Sequence, residues 1–270
     1  MKKVLFCTDL SKSCHSLSEY IADWVKGTDV IVDVIHVYDP AVLSLSTVNI
    51  MDQPDIKEET QQQMNGYLDS FLESLPKENR GQKHLLADKA FSTTICMTAD
   101  KINADLIVSG LREKYTMMDK FMGSTAASLI KTASLPVLVI PYERSYSPYK
   151  TVLFPTQIAS RADMSIGEED ALTWIYDHMD KDADPAIHLL HIEQDKAPIP
   201  MTNKEYPYSQ MKFTTSYSPD VVMGIIDHLE QHDSDLIAVH RTEKSMWDRI
   251  HKSSVAKNLM YKSKMPILFI

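Results

Sequence analysis

The sequence predicts an α/β protein of two tandem open parallel five-stranded sheets flanked by helices, Rossmann-like in plan. Three observations lead there. Short continuous apolar runs alternate with stretches of helical periodicity, the alternation is completed twice, and the second pass repeats segments of the first. Val-Leu-Phe-Cys-Thr-Asp at 4–9 returns as Val-Leu-Phe-Pro-Thr-Gln at 152–157, and Val-Ile-His-Val at 34–37 returns as Leu-Leu-His-Ile at 189–192. Ala-Asp-Leu-Ile-Val at 104–108 returns as Ser-Asp-Leu-Ile-Ala at 234–238, and Leu-Pro-Val-Leu-Val-Ile at 135–140 as Met-Pro-Ile-Leu-Phe-Ile at 265–270. A repeat of this kind decides the fold before any single element does. The polar, Pro-containing Ser-Tyr-Ser-Pro-Tyr stretch at 145–149 divides the chain into domains 1–146 and 147–270.

In the first domain, strands are predicted at 3–8, 30–37, 82–87, 104–109 and 136–140, each continuously apolar, as strands covered on both faces should be. Helices are predicted at about 13–26, 56–75, 91–102 and 123–133. Ser11 or Ser13 is expected to cap the first, Ser92 the third and Ser124 the fourth, each offering an oxygen to unpaired amides. The βαβ order calls for right-handed crossovers and a binding crevice beyond the carboxyl ends of the strands. Residues 40–57, with Pro40 and Pro54, are read as a long mobile loop over that crevice. In the second domain, strands are predicted at 186–193 and 211–217. The prolines between Asp195 and Pro207 argue that the helix at 56–75 has no counterpart.

Composition narrows the function. Only seven of 270 residues are glycine, against an average near about 7%, and neither G-x-G-x-x-G nor G-x-x-x-x-G-K-[ST] occurs. A net charge of −9 repels nucleic acid and anionic membrane, so neither is an expected partner. Three cysteines without C-x-x-C spacing give neither a disulfide framework nor a zinc knuckle. With no apolar run of about 20 residues and no signal-peptide core, the expectation is a soluble, unprocessed cytoplasmic protein.

Two features carry a ligand chemistry. Asp9 closes the first strand, and Gly110-Leu-Arg-Glu113 is followed, nine residues later, by Gly123-Ser124. Glycine permits close backbone approach and positive φ, and a helix opening at Ser124 presents free amides and a dipole that favour phosphate. On these residues both halves resemble the universal stress protein family, an α/β fold related to the adenine-nucleotide alpha-hydrolase group, over nearly the whole chain. That family has an Asp at the end of its first strand and a phosphate-binding G-x2-G-x9-G-[ST] loop after its fourth.

The resemblance implies ATP or AMP binding in domain 1 through Thr8, Asp9, Val37, Gly110, Arg112, Gly123, Ser124 and Thr125. Asp9 and the backbone near Val37 would hold adenosine, and Gly110, Gly123, Ser124 and Thr125 would surround the phosphates. Glu113 departs from the pattern at its second glycine, bringing a like charge worth about 1–4 kcal/mol at ~4 Å, with Arg112 and Lys114 beside it. In domain 2, Gln157, His240, Glu243 and Ser253-Ser254 replace the pattern residues, so that copy is degenerate and takes a structural task.

A family of this kind implies binding without turnover, no metal, and an intramolecular pseudo-dimer through strands 136–140 and 266–270, with a further homodimer left open. The alternatives are an interaction scaffold that takes no nucleotide and, on fold analogy alone, a slow ATP-hydrolysing enzyme. His36 and His191, at matching strand ends, are read as structural hydrogen-bonders rather than acid–base groups. Cys7 is read as a small buried residue, and Cys14 and His15, adjacent on a helix, as no nucleophile–base pair. The apolar run Met117-Met118 with Phe121-Met122 is read as packing in preference to a lid.

Overall fold

The computed structural model describes residues 1–11, 13–41, 54–111, 124–142, 144–156, 164–178, 186–194, 211–241 and 265–270. They fall into two compact units, Met1–Tyr146 and Ser147–Ile270. Unit 1 runs β1 (Lys3–Cys7), α1 (Ser13–Val25), β2 (Ile31–Tyr38), α2 (Pro54–Ser74), a 3-10 turn (Lys77–Asn79), β3 (Arg80–Ala87), α3 (Phe91–Lys101), β4 (Leu106–Gly110), α4 (Ser124–Thr132) and β5 (Val137–Ile140). Unit 2 runs β6 (Thr151–Thr156), α5 (Ile166–His178), β7 (Ala186–Glu193), β8 (Met211–Tyr217), α6 (Val221–Gln231), β9 (Leu236–Val239) and β10 (Ile267–Phe269). The predicted α/β fold with parallel sheets is the one observed.

Strand order is β3-β2-β1-β4-β5 in unit 1 and β8-β7-β6-β9-β10 in unit 2, the same permutation, with every pair within a unit for which a register is given parallel. The inner strands are apolar because both faces are covered: Val4, Leu5, Phe6, Leu106, Ile107 and Val108 have no exposed surface, nor do Val152, Leu153 and Phe154. Phe71 of α2 stacks on Phe6 of β1 with ring centroids 4.6 Å apart, fixing that helix to the sheet.

One carboxylate in each unit ties the sheet's central pair together. The Lys2 and Lys3 amides donate to Asp105 Oδ2 at 2.6 and 2.9 Å, and the Asp105 amide donates back to the Lys3 carbonyl at 2.8 Å. In unit 2 the Lys150 and Thr151 amides donate to Asp235 Oδ2, both at 3.0 Å, and the Asp235 amide returns to Thr151 at 2.9 Å. The entry to the fourth strand of each unit is thereby locked to the entry of its first. These aspartates are the ones the sequence repeat aligned.

Several expectations are corrected. Strand β3 is not continuously apolar: Arg80, Gln82, Lys83 and Ala87 are exposed, as suits an edge strand. Its pairing with β2 slips between Val32 and Val34 to accommodate the buried Asp33, which accepts from the Gln82 amide at 3.0 Å and lies 2.9 Å from His84 Nε2. A side chain at Gly81 would collide with that carboxylate, so the glycine answers a close approach. Pro54 begins α2, where its missing amide is harmless, so the loop read to residue 57 stops sooner; residues 42–53 lie outside the described residues.

Ser92 does not cap α3. The cap is Ala90, without a side-chain bond, and Ser92 lies inside the helix with its hydroxyl 2.7 Å from that of Ser128. Asp88 serves the helix start instead, accepting from the Ala90 amide at 3.0 Å and the Thr94 hydroxyl at 2.7 Å, and these bonds hold its carboxyl below the usual range. The side chains of Ser13 and Ser124, and the segment 195–210, lie outside the described residues. No described helix is long and apolar enough to cross a membrane.

Asp105→Ala and Asp235→Ala should each lower stability by about 1–2 kcal/mol, the worth of two partly exposed charge-assisted hydrogen bonds. Urea denaturation of the two variants checks this, and their losses should be similar.

Candidate functional site

Because β1 sits between β2 and β4, the chain leaves the carboxyl ends of β1 and β4 toward opposite sides, which opens a crevice there. Cys7 pairs with Ser109, so Thr8 and Asp9 emerge alongside Gly110. The chain turns at once. Leu10 takes a left-handed φ of 58°, strained by roughly 1–2 kcal/mol for a residue with a side chain. Two bonds hold it: the Leu10 amide donates to Thr8 Oγ1 at 3.1 Å and the Ser11 amide to Asp9 Oδ1 at 3.0 Å.

The Thr8 amide continues the ladder to the Ile35 carbonyl at 3.0 Å, and His36 Nδ1 donates to the Thr8 carbonyl at 2.9 Å. A carbonyl only accepts, so the ring proton sits on Nδ1. His36 thus fixes the strand end, the structural role expected of it. Strand β2 runs past its last pairing with β1, at Ile35, and Val37 there pairs only with Leu86 of β3. The Val37 side chain is buried, which leaves its backbone as the group a ligand beside Asp9 could meet.

Gly110 is at a strand end without positive φ, which among described glycines occurs only at Gly27. The conformational reason first given for Gly110 is therefore replaced by a steric one. A Cβ there would run into Leu17 Cδ1 of α1. Thr125 lies in the first turn of α4, which begins at Ser124. Arg112 and Gly123 lie outside the described residues, as do Glu113, Lys114, Met117, Met118, Phe121 and Met122. The structure thus brings together Thr8, Asp9, Gly110 and the Val37 backbone.

Burial and then Cys96 push the pKa of the half-buried Cys7 thiol far up, so it is protonated at neutral pH. The side chains of Cys14 and His15 lie outside the described residues. Among the described residues no group of three or more His, Cys, Asp or Glu could hold a metal ion.

In unit 2 the same frame is filled differently. His191 Nδ1 donates to the Thr156 carbonyl at 3.3 Å, matching His36 and Thr8. His240 follows β9 where Gly110 ends β4, and Gly167 of α5 makes room for it: a Cβ on Gly167 would lie 2.8 Å from His240 Cε1 and Nε2. Unit 1 sets a small residue on the strand and a large one on the helix, and unit 2 reverses the arrangement.

Glu168 ties the start of α5 to the end of β6. It accepts from the Thr156 hydroxyl at 2.8 Å, and from the Ser165 hydroxyl and amide at 2.9 and 3.2 Å, while the Glu168 amide reaches back to Ser165 Oγ at 3.3 Å. Ser165-x-x-Glu168 is a capping box, a signal legible in the sequence but not picked out there. Burial lowers the His240 pKa, with Arg241 adding to the effect and Glu168 and Asp170 opposing it, so the ring is neutral at pH 7. Gln157, Glu243 and Ser253-Ser254 lie outside the described residues.

A sequence model described as the universal stress protein family matches residues 1–141. The chain belongs to that family. A universal stress protein of Synechocystis sp. is 28% identical over 149 residues, which cover 52% of this chain and 85% of that protein. A solved universal stress protein from Archaeoglobus fulgidus covers 99% of this chain and 95% of its own at a TM-score of 0.69 and 15% identity. A Pseudomonas aeruginosa protein of unknown function covers 100% and 92% at a TM-score of 0.58 and 10% identity. At these identities the two structures speak for the universal stress protein fold alone.

Gly167→Ala should destabilise the protein by about 1–3 kcal/mol, the overpacking outweighing what alanine gains in helix propensity. In a His240→Ala background the same change should be neutral to stabilising by up to about 1 kcal/mol, since only the propensity gain remains. A double-mutant cycle by chemical denaturation measures that coupling, and simple additivity would contradict the swap; Gly110→Ala against Leu17→Ala is the matching cycle in unit 1.

Proposed function

We propose that this universal stress protein is a stress-response binding protein whose unit 1 takes one adenine nucleotide, ATP or AMP, and whose unit 2 is a degenerate domain of the same type that takes none. The observation that carries the reading is the strained turn at Thr8-Asp9-Leu10 beside Gly110, at the switch point of a parallel sheet. A preorganised acidic turn at such a place suits ribose or base recognition, since a carboxylate accepts the hydroxyl and amino protons that fix a nucleoside's orientation. The spacing from Gly110 to Gly123-Ser124 adds a helix N-terminus suited to phosphate. In this reading Asp9 and the Val37 backbone face adenosine, Thr8 shapes the turn, and Gly110, Arg112, Gly123, Ser124 and Thr125 surround the phosphates.

The role is binding rather than turnover. No nucleophile–base pair accompanies the described strand ends: His36 gives its Nδ1 proton to a backbone carbonyl, and Cys7 is held protonated by burial. In unit 2 the His240 ring against Gly167 and the Thr156–Glu168 bond at the helix start support a reading of one nucleotide per chain. The same observation favours a second reading, in which the chain is an interaction scaffold.

Calorimetry with ATP and AMP at millimolar concentration separates the two, with one equivalent per chain expected and no heat from either nucleotide overturning the first. Asp9→Asn, which keeps the oxygen that accepts from Ser11, should weaken binding tenfold or more. Glu113→Gly should tighten it by about tenfold, the worth of removing a screened like charge near a polyphosphate.

A further inference from the structure

Unit 2 holds three imidazoles that its crevice does not use. His188 lies on β7, and His228 and His232 lie four residues apart at the end of α6, which packs against β7 and β8. The His228 and His232 rings stack with centroids 4.2 Å apart and planes 11° from parallel. His188 meets them edge-on at 5.6 and 6.0 Å. His228 is 4% exposed and its Nε2 is buried with no hydrogen-bond partner among the described residues. His232 Nδ1 donates to the His228 carbonyl at 3.2 Å.

The charged surroundings offer a proton no compensation. Across the sheet His188 is in register with Lys212 of β8, and the two repel when both are charged. Strand β6, on the other side of β7, carries no ionisable side chain between Thr151 and Thr156. Strand β7 itself adds His191 and Glu193, which lie 3.5 Å from each other, and β8 adds Tyr217. The acidic residues of α6 and its exit are Asp227, Glu230, Asp233 and Asp235. Among the described residues none of these is ion-paired with the three rings, and Asp235 is engaged with the Lys150 and Thr151 amides.

We propose that His188, His228 and His232 form an acid-responsive latch: neutral, they pack α6 onto β7, and protonation inside the cluster releases that helix from unit 2. Protonating His228 would place a cation in a buried position facing two further imidazoles, with no acceptor among the described residues for its Nε2 proton. Either the ring stays neutral or the packing opens. Burial first, then His232 and His188, push the His228 pKa down to about 4, and burial first lowers that of His188.

The sign follows. An unfolded histidine takes up its proton near pH 6.5, the packed His228 only near 4, so between those values the opened state binds more protons. Latch stability is intact above about pH 6.5 and is lost as the pH falls toward 4, by up to tenfold in the closed-to-open ratio per pH unit for one proton.

Hydrogen exchange of the intact chain, read on peptides from α6 and β7 and corrected for intrinsic rates, tests this. From pH 6.5 to 4.5 their protection should fall by up to about tenfold per unit, while peptides from β1 and β4 of unit 1 lose less. His228→Phe keeps a stacked ring without a titrating nitrogen and should remove most of that pH dependence. An equal dependence in the variant, or an equal loss in both units, would overturn the latch. Should the variant not fold, an NMR titration of the His228 Cε1–H resonance in the unaltered protein decides. A midpoint well below 6.5 is expected, and one at or above 6.5 refutes the proposal.

Discussion

Each unit hangs on a carboxylate that faces backward. Asp105 and Asp235 stand at the entry to the fourth strand of their units and accept the amides at the entry to the first. That contact is between segments about 100 residues apart in unit 1 and about 85 in unit 2. Nothing local in a parallel sheet sets the register between distant strands, since there is no hairpin turn to do it. A side chain that reads two consecutive amides at a strand's start supplies that missing reference. Once β1 and β4 are aligned at their beginnings, their ends are aligned as well, and Asp9 comes to lie beside Gly110.

From that common frame the two units diverge at one steric decision. In each unit a glycine faces one larger side chain across the contact between the first helix and the fourth strand. With Leu17 on α1, glycine at the end of the strand leaves room for the leucine's terminal methyl. With His240 after the strand, Gly167 on the helix leaves room for the imidazole. Glu168 then adds a resident carboxylate at the start of α5, where an anionic ligand would otherwise be welcome. The two units thus differ in packing at this point while keeping the same frame, as the matching pairs Thr8–His36 and Thr156–His191 attest.

How much of this was legible depended on whether the cause was local. Continuous apolar runs revealed the inner strands, because burial on both faces selects composition directly, and the strands at 186–193 and 211–217 were read to the residue. The role of His36 could be read because it recurred. The reason for Gly110 could not, because it lies in Leu17, on another element. Ser92 misled for a related reason: its preference for caps was outbid by Asp88, whose carboxylate reaches the same helix start from farther back. Edge strand β3 escaped the expected pattern because edges face water. Asp33, a buried carboxylate within β2, reads as an error in sequence until His84 and the Gln82 amide are seen around it.

Leucine at position 10 carries one more consequence. A chain with seven glycines among 270 residues gives its backbone few places to wander when unfolded, and among the described residues it forms left-handed turns with Leu10 and Asn103 as well as Gly27. A side chain there narrows the conformations of the denatured chain, by about 0.4–1 kcal/mol per position on the glycine-to-alanine scale, and offsets part of the strain it creates. The lip of the unit 1 crevice is also held by the Leu10 and Ser11 amides on Thr8 and Asp9 before any ligand arrives. A molecule binding against it would surrender little conformational entropy from the protein, so its association should resemble the filling of a mould more than the folding of a loop.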